Sequence, residues 1–119
     1  MLPASLPAPL GNEGLFEVCA VNADSSFSVG DFVLPNKLLF ATWRSHVVEL
    51  EENFIKLPNN LDKLTCATLS VNPMTALRML QDFKKLSVGD TIIQNGANSG
   101  VGQAVIQLGI LMDTTLREF

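Results

Sequence analysis

Apolar and polar positions change period once along the chain, near residue 58. Before it, the signals are those of strands and turns. Residues 1–14 hold Pro3, Pro7, Pro9, Gly11 and Gly14 and predict extended, irregular chain. Phe16, Val18 and Ala20 alternate with Leu15, Glu17 and Cys19, which predicts a strand with one strongly apolar face. Asp24-Ser25-Ser26 and Val29-Gly30-Asp31 read as turns, and Phe32-Val33-Leu34 as a strand ended by Pro35. Residues 43–50 are rich in β-formers and predict a further strand. After the polar turn Glu51-Glu52-Asn53, Phe54-Ile55-Lys56-Leu57 predicts a short strand closed by Pro58. The first half therefore reads as antiparallel β.

From Asn60 the spacing turns helical, with Leu61, Leu64, Cys66, Ala67 and Leu69 on one side. Asn72-Pro73 predicts a helix start, with Asn as cap and Pro in the first turn, where its missing N–H costs nothing. Ala76, Leu77, Leu80 and Phe83 are the expected buried stripe, and Lys84 and Lys85 suit the helix end. Val88-Gly89-Asp90 turns into a strand, Thr91-Ile92-Ile93-Gln94. Residues 95–100 are a loop, and Val101, Ala104, Val105, Leu108 and Met112 predict an amphipathic helix. This is the opening of a doubly wound α/β unit. The polar residues 113–119 predict no second strand, so the unit is expected to stay open.

Composition narrows the function. The 119 residues are 47% apolar and 17% charged, which is a globular balance. The net charge of −4 is carried entirely before Lys37, by Glu13, Glu17, Asp24 and Asp31. No basic stripe exists, so a nucleic-acid partner is not expected. The apolar run 108–112 is far too short for a membrane span. The first residues carry no basic or Arg-rich targeting signal. Cys19 and Cys66 are read as small buried hydrophobes rather than a disulfide. With His46 the sole histidine, no metal site is expected. His46 is either a half-exposed strand residue or a lone acid–base group, and the first reading is preferred.

One segment carries chemistry. Gln94-Asn95-Gly96-Ala97-Asn98-Ser99-Gly100-Val101-Gly102-Gln103 follows a strand and opens a helix. Gly96 suits a tight exit from the strand, Gly100 a close approach to a pyrophosphate, and Gly102 close helix–sheet packing. The spacing G-x-x-x-G-x-G differs from the strict dinucleotide fingerprint, and no Lys-Ser/Thr pair makes it a phosphate-binding P-loop. A plain strand–helix connection is the competing reading. Asn72 is a cap or a ligand contact; Thr75 is a ligand contact or a solvated first-turn residue. Trp43 reads as core, Arg44 as surface, and Glu51-Glu52 as a charged turn only. No Ser/His/Asp set and no carboxylate pair has catalytic spacing.

Several blocks occur in one order: Gly11-Asn12-Glu13-Gly14, Val29-Gly30-Asp31-Phe32-Val33, Thr42-Trp43-Arg44, Val71-Asn72-Pro73-Met74-Thr75-Ala76-Leu77, and Gln94 through Gln107. Together they resemble the mitochondrial trans-2-enoyl-thioester reductases of the medium-chain dehydrogenase/reductase superfamily. The resemblance covers roughly residues 3–108 and lapses from Gly109.

That resemblance implies a mixed α/β fold. Residues 1–58 would be part of a GroES-like antiparallel β domain, and residues 59–119 the first β-α unit of a Rossmann-type NADPH domain. It implies hydride transfer from NADPH to the β-carbon of an enoyl thioester on acyl-carrier protein or coenzyme A, in mitochondrial fatty-acid synthesis. It implies cofactor contacts from Asn72, Asn98, Ser99, Gly100 and Val101, and a homodimer in the full-length family. The family's proton-donating tyrosine has no counterpart, because the chain contains no tyrosine. No catalytic residue is therefore assigned. Glu118 stands at about the distance of a ribose-binding acid from Gly100 and reads as a tail residue. The chain is expected to be an incomplete piece, binding NADPH weakly or not at all and without turnover. The alternatives are a non-catalytic module that pairs with a full-length subunit, and a quinone reductase of the same superfamily.

Overall fold

The computed structural model describes residues 7–118, with backbone only for residues 116–118. The expectations for Pro3 and the first six residues, and for Phe119, lie outside this range. The chain divides into two compact units, Met1–Thr68 and Leu69–Phe119.

The first unit is built on a three-stranded antiparallel sheet in the order β1–β2–β3: β1 (Phe16–Glu17), β2 (Phe32–Pro35) and β3 (Phe54–Leu57). Phe16 pairs with Val33, and Leu34 with Ile55. The central strand supplies Phe32, Val33 and Leu34, all buried. Phe40 and Leu57 join them, and the rings of Phe16, Phe40 and Phe54 stack edge to face with centroids 5.2–6.2 Å apart. A five-residue helix, α1 (Lys63–Ala67), follows, with Asp62 accepting the Thr65 N–H at 2.9 Å as its cap. The division at residue 58 read from the period change assigns α1 to the second part; in the structure it groups with the first.

Side chains tie the turns to this sheet. Asp31, just before β2, accepts the Ser28 N–H at 2.7 Å and pairs with Lys56 of β3 at 2.5 Å. Asn59 bridges the start of β2, accepting the Phe32 N–H and donating to the Gly30 carbonyl. Glu51 does more than charge a turn. Its carboxylate accepts the hydroxyls of Ser25 and Ser26 and the Ser26 N–H, holding the 24–28 loop against the single 3-10 turn Glu51–Asn53.

Four expectations fail in this unit, the first being the core position expected of Trp43, whose side chain is exposed. Residues 43–50 form no strand. Trp43, Val48 and Leu50 are exposed, Trp43 at 74%, and β-forming side chains with no covered face gain nothing from a pleat. The segment is pinned instead by its ends, through Thr42 N–H to Gly11 O, Trp43 N–H to Leu10 O, and Lys37 to Glu49. β1 stops at Glu17, although Val18 still exchanges backbone bonds with Gly30 and Asp31. Cys66 is buried as expected, whereas Cys19 beyond the strand is exposed; both are free thiols.

The second unit holds α2 (Asn72–Gln81), β4 (Thr91–Gln94), α3 (Gly100–Leu111) and β5 (Thr115–Glu118). Ala76 and Leu80 of α2 and Val105 of α3 form its buried centre, with Leu86, Ile92, Val101, Ala104, Leu108 and Met112 packed around them. Phe83 is not part of the stripe. The helix ends at Gln81, and Phe83 stands 85% exposed beyond it. Arg78 therefore occupies the last turn in place of Lys84 and Lys85, paired with Asp82.

The α/β unit is more complete than the polar tail suggests. β5 pairs in parallel with β4, Thr91 opposite Thr115 and Gln94 opposite Glu118, so Glu118 lies in a strand rather than a tail. The helix end before it is hidden in the sequence because Asp113, not glycine, takes the left-handed position, at φ 52°. Asp113 N–H bonds to Ile110 O and Thr114 N–H to Gly109 O, the paired closure of a Schellman turn. Thr115 N–H then reaches Asp90 O and starts the parallel ladder.

The hydrogen bond from Lys56, and then that from Ser28, hold the Asp31 carboxyl below the usual carboxylate range. A lowered folded-state pKa stabilises the fold above the ordinary value, and that gain is lost as pH falls through the lowered one. Urea midpoints of the chain should thus fall between about pH 5 and pH 2. Asp31→Asn should be less stable at pH 7 and flatter across that window. An equal gap between the two proteins at pH 7 and at the acid end would rule out the charge as its source.

Candidate cofactor-binding site

The site is the connection between β4 and α3 together with the start of α2, all within the second unit. Its shape follows from three glycines with three different reasons. Gly96 leaves the strand at φ 65°, a left-handed conformation that side chains disfavour. Gly102 is buried where a Cβ would stand 2.5 Å from the Gly96 carbonyl oxygen and 2.7 Å from Ala97 Cα. The loop backbone itself fills the space of the missing side chain, so Gly102 serves loop-to-helix packing rather than the helix–sheet packing expected of it. At Gly100 a Cβ would meet Asn72, 2.7 Å from Nδ2 and 3.0 Å from Cγ. Gly100 thus lets α3 approach the side chain of Asn72, a reason the spacing alone did not reveal.

Asn72 does not cap its own helix. Val71 is the cap position, no side chain caps there, and Asn72 is the first helical residue ahead of Pro73. Its carboxamide makes no hydrogen bond among the described residues and lies against Gly100. Two segments 28 positions apart in sequence are thereby brought to one spot. Thr75, one turn into α2, is exposed.

Ser99 caps α3, its Oγ accepting the Gly102 N–H at 3.1 Å. The Ser99 N–H donates to Gly96 O, and the Ser99 carbonyl accepts the Gln103 N–H. Among the described residues this leaves the N–H groups of Gly100 and Val101 unengaged, along with the Ser99 hydroxyl proton and the Asn98 carboxamide. Asn98, Ser99 and Gly100 are exposed; Val101 points its side chain into the core. No residue from 95 to 103 is ionisable, so the attraction for an anion comes from bare N–H groups and the helix dipole.

Two glutamines frame the loop. Gln94, at the end of β4, donates to the Gly102 carbonyl at 3.3 Å, and Gln103 donates to the Asn98 carbonyl at 2.9 Å. Neither was assigned a role from the sequence. The signal was there: one glutamine immediately before the loop and one in the first turn after it.

His46, Arg44 and Trp43 belong to the first unit and are exposed. Arg44 is held over the Phe40 ring and donates to the carbonyls of Phe40 and Ala41.

An antiparallel β unit followed by a βαβ unit with a glycine-rich turn is the element order of a β domain leading into a dinucleotide-binding domain. No family profile matches the chain. It is 49% identical over 104 residues to the human mitochondrial enoyl-[acyl-carrier-protein] reductase, covering 87% of this chain and 28% of that protein. The mitochondrial 2-enoyl thioester reductase Etr1p/Etr2p heterodimer of Candida tropicalis superposes with a TM-score of 0.87 at 42% identity, over 93% of this chain and 34% of that one. The Etr1p complex with NADP and crotonyl-CoA matches with the same score, identity and coverage. By sequence and by fold, this chain is homologous to a segment of the mitochondrial enoyl-thioester reductases, spanning about 30% of their length.

Gly102→Ala drives a methyl group into loop backbone that cannot swing away, and should destabilise the chain by about 1–3 kcal/mol. Gly100→Ala meets only the mobile end of Asn72 and should cost less than about 1 kcal/mol. Urea denaturation followed by circular dichroism distinguishes them. Equal losses would show that the two contacts are not different in kind.

Proposed function

We propose that the chain provides the pyrophosphate-binding turn of an NADPH-dependent reductase acting on trans-2-enoyl thioesters of coenzyme A or acyl-carrier protein, in the mitochondrion. The observation that carries this is the cluster of unengaged donors at the β4–α3 turn, with the Asn72 carboxamide laid against Gly100. NADPH, when bound, supplies the hydride. Gly100 and Val101 N–H groups and the Ser99 hydroxyl hold its phosphates, and the carboxamides of Asn72 and Asn98 orient it. Residues up to Thr68 then act as part of a β domain, and those from Leu69 as the start of a cofactor domain. The names of the relatives and the ligands of the Etr1p complex support the cofactor, the substrate class and the compartment.

No tyrosine occurs in the 119 residues, so the proton donor that the family likeness assigns is not among them. The chain should accordingly bind NADPH weakly yet saturably in a fluorescence titration, and should not oxidise it with crotonyl-CoA. Asn72→Ala should raise the dissociation constant by about tenfold, equivalent to about 1.4 kcal/mol. Absence of any saturable binding sinks the cofactor reading, and turnover at an ordinary enzyme's rate sinks the inactive-chain reading.

A second reading has its own observation. Phe83, Val88, Ile93, Ile110 and Leu111 of the second unit are each at least 64% exposed, apolar surface that association would cover. This favours association, with a further subunit of the same fold as the partner. Light scattering of the purified chain checks it: a clean monomer across concentrations removes this reading.

A further inference from the structure

The peptide between Asn98 and Ser99 is held at both ends. Its N–H donates to Gly96 O at 2.9 Å, and its carbonyl accepts from Gln103 Nε2 at 2.9 Å. That peptide plane leads directly into Ser99, which caps α3 in an extended conformation at φ −71° and ψ 162°. Without the Gln103 bond only the Ser99 N–H would hold this plane, and the Asn98 carbonyl could tilt toward a bound anion, which it repels. Bonded to Gln103, that carbonyl is engaged, while the Gly100 and Val101 N–H groups have no partner among the described residues. Gln103 sits on the exposed side of α3 and its side chain makes no other bond among the described residues.

We infer that Gln103 is a positioning residue for the cofactor turn: it fixes the 98–99 peptide so that only donors face the pyrophosphate. The inference rests on the cofactor reading above, but the clamp has a readout of its own. Gln103→Met keeps the length of the side chain and removes the donor. Gln107→Met is the control, since Gln107 lies one turn further along the same helix, is exposed, and makes no hydrogen bond among the described residues. Amide hydrogen exchange of the full 119-residue chain, read by NMR, should quicken several-fold at Ser99 and Gly102 in Gln103→Met. Val105 and Leu108 in the same helix should keep their protection, which a general loss of stability would not allow. Titration with NADP+ should then give a dissociation constant about fivefold higher for Gln103→Met and unchanged for Gln107→Met. Unaltered exchange at Ser99 and Gly102 overturns the inference. So does quickened exchange with NADP+ affinity unchanged, because the clamp would then not serve the turn. If even the unsubstituted chain fails to bind NADP+ while exchange at Ser99 quickens, the cofactor reading falls and takes this role with it, leaving Gln103 as a loop clamp alone.

Discussion

The second unit depends on one close approach, the backbone of Gly96 and Ala97 lying in the space where Gly102 has no side chain. The capping bonds of the candidate site are downstream of it. Because the loop sits against the first turn of α3, the Gly96 carbonyl is in place for the Ser99 N–H, and Ser99 is in place for the Gly102 N–H. The two bonds and the packing support one another. Separately they are worth little, since each replaces a bond to water. Together they define a turn whose remaining N–H groups have nowhere to go but outward.

The same economy governs the contact between α2 and α3. A helix beginning at Asn72 would ordinarily use that side chain for its own cap. Here Pro73 lies in the first turn, the cap position falls on Val71, and the carboxamide is left for Gly100. Buried Ala76 and Val105 hold the two helices together behind this point. The small side chain of Ala76 suits a close helix–helix approach, so the core and the site answer to one constraint. The first unit has a comparable anchor in β2, whose three buried residues are flanked by Asp31 at one end, tied to both Ser28 and Lys56.

What was readable, and what was not, sorts by how local the cause is. β3 and β4 appear at Phe54–Leu57 and Thr91–Gln94, the expected bounds, since turn residues punctuate both. The glycine turn was legible because glycine spacing and helix onset are short-range signals. Residues 43–50 mislead because β-forming composition reports what a covered pleat accepts, and Trp43, Val48 and Leu50 stand exposed. β5 was missed because its partner, β4, lies some twenty residues earlier, and backbone pairing asks little of side chains such as Thr115. Asp113 concealed the helix end by taking a conformation normally signalled by glycine.

The sequence alone determined the order of antiparallel β followed by α/β, the glycine turn, and the likeness to a reductase family, because each is written in neighbouring residues. The tertiary structure decided which donors in that turn remain unengaged, that Asn72 meets Gly100 rather than capping its helix, and that the last residues complete a parallel pair. These are long-range contacts. They are set by which backbone surfaces can approach within van der Waals distance once the helices pack, and no local pattern encodes that distance.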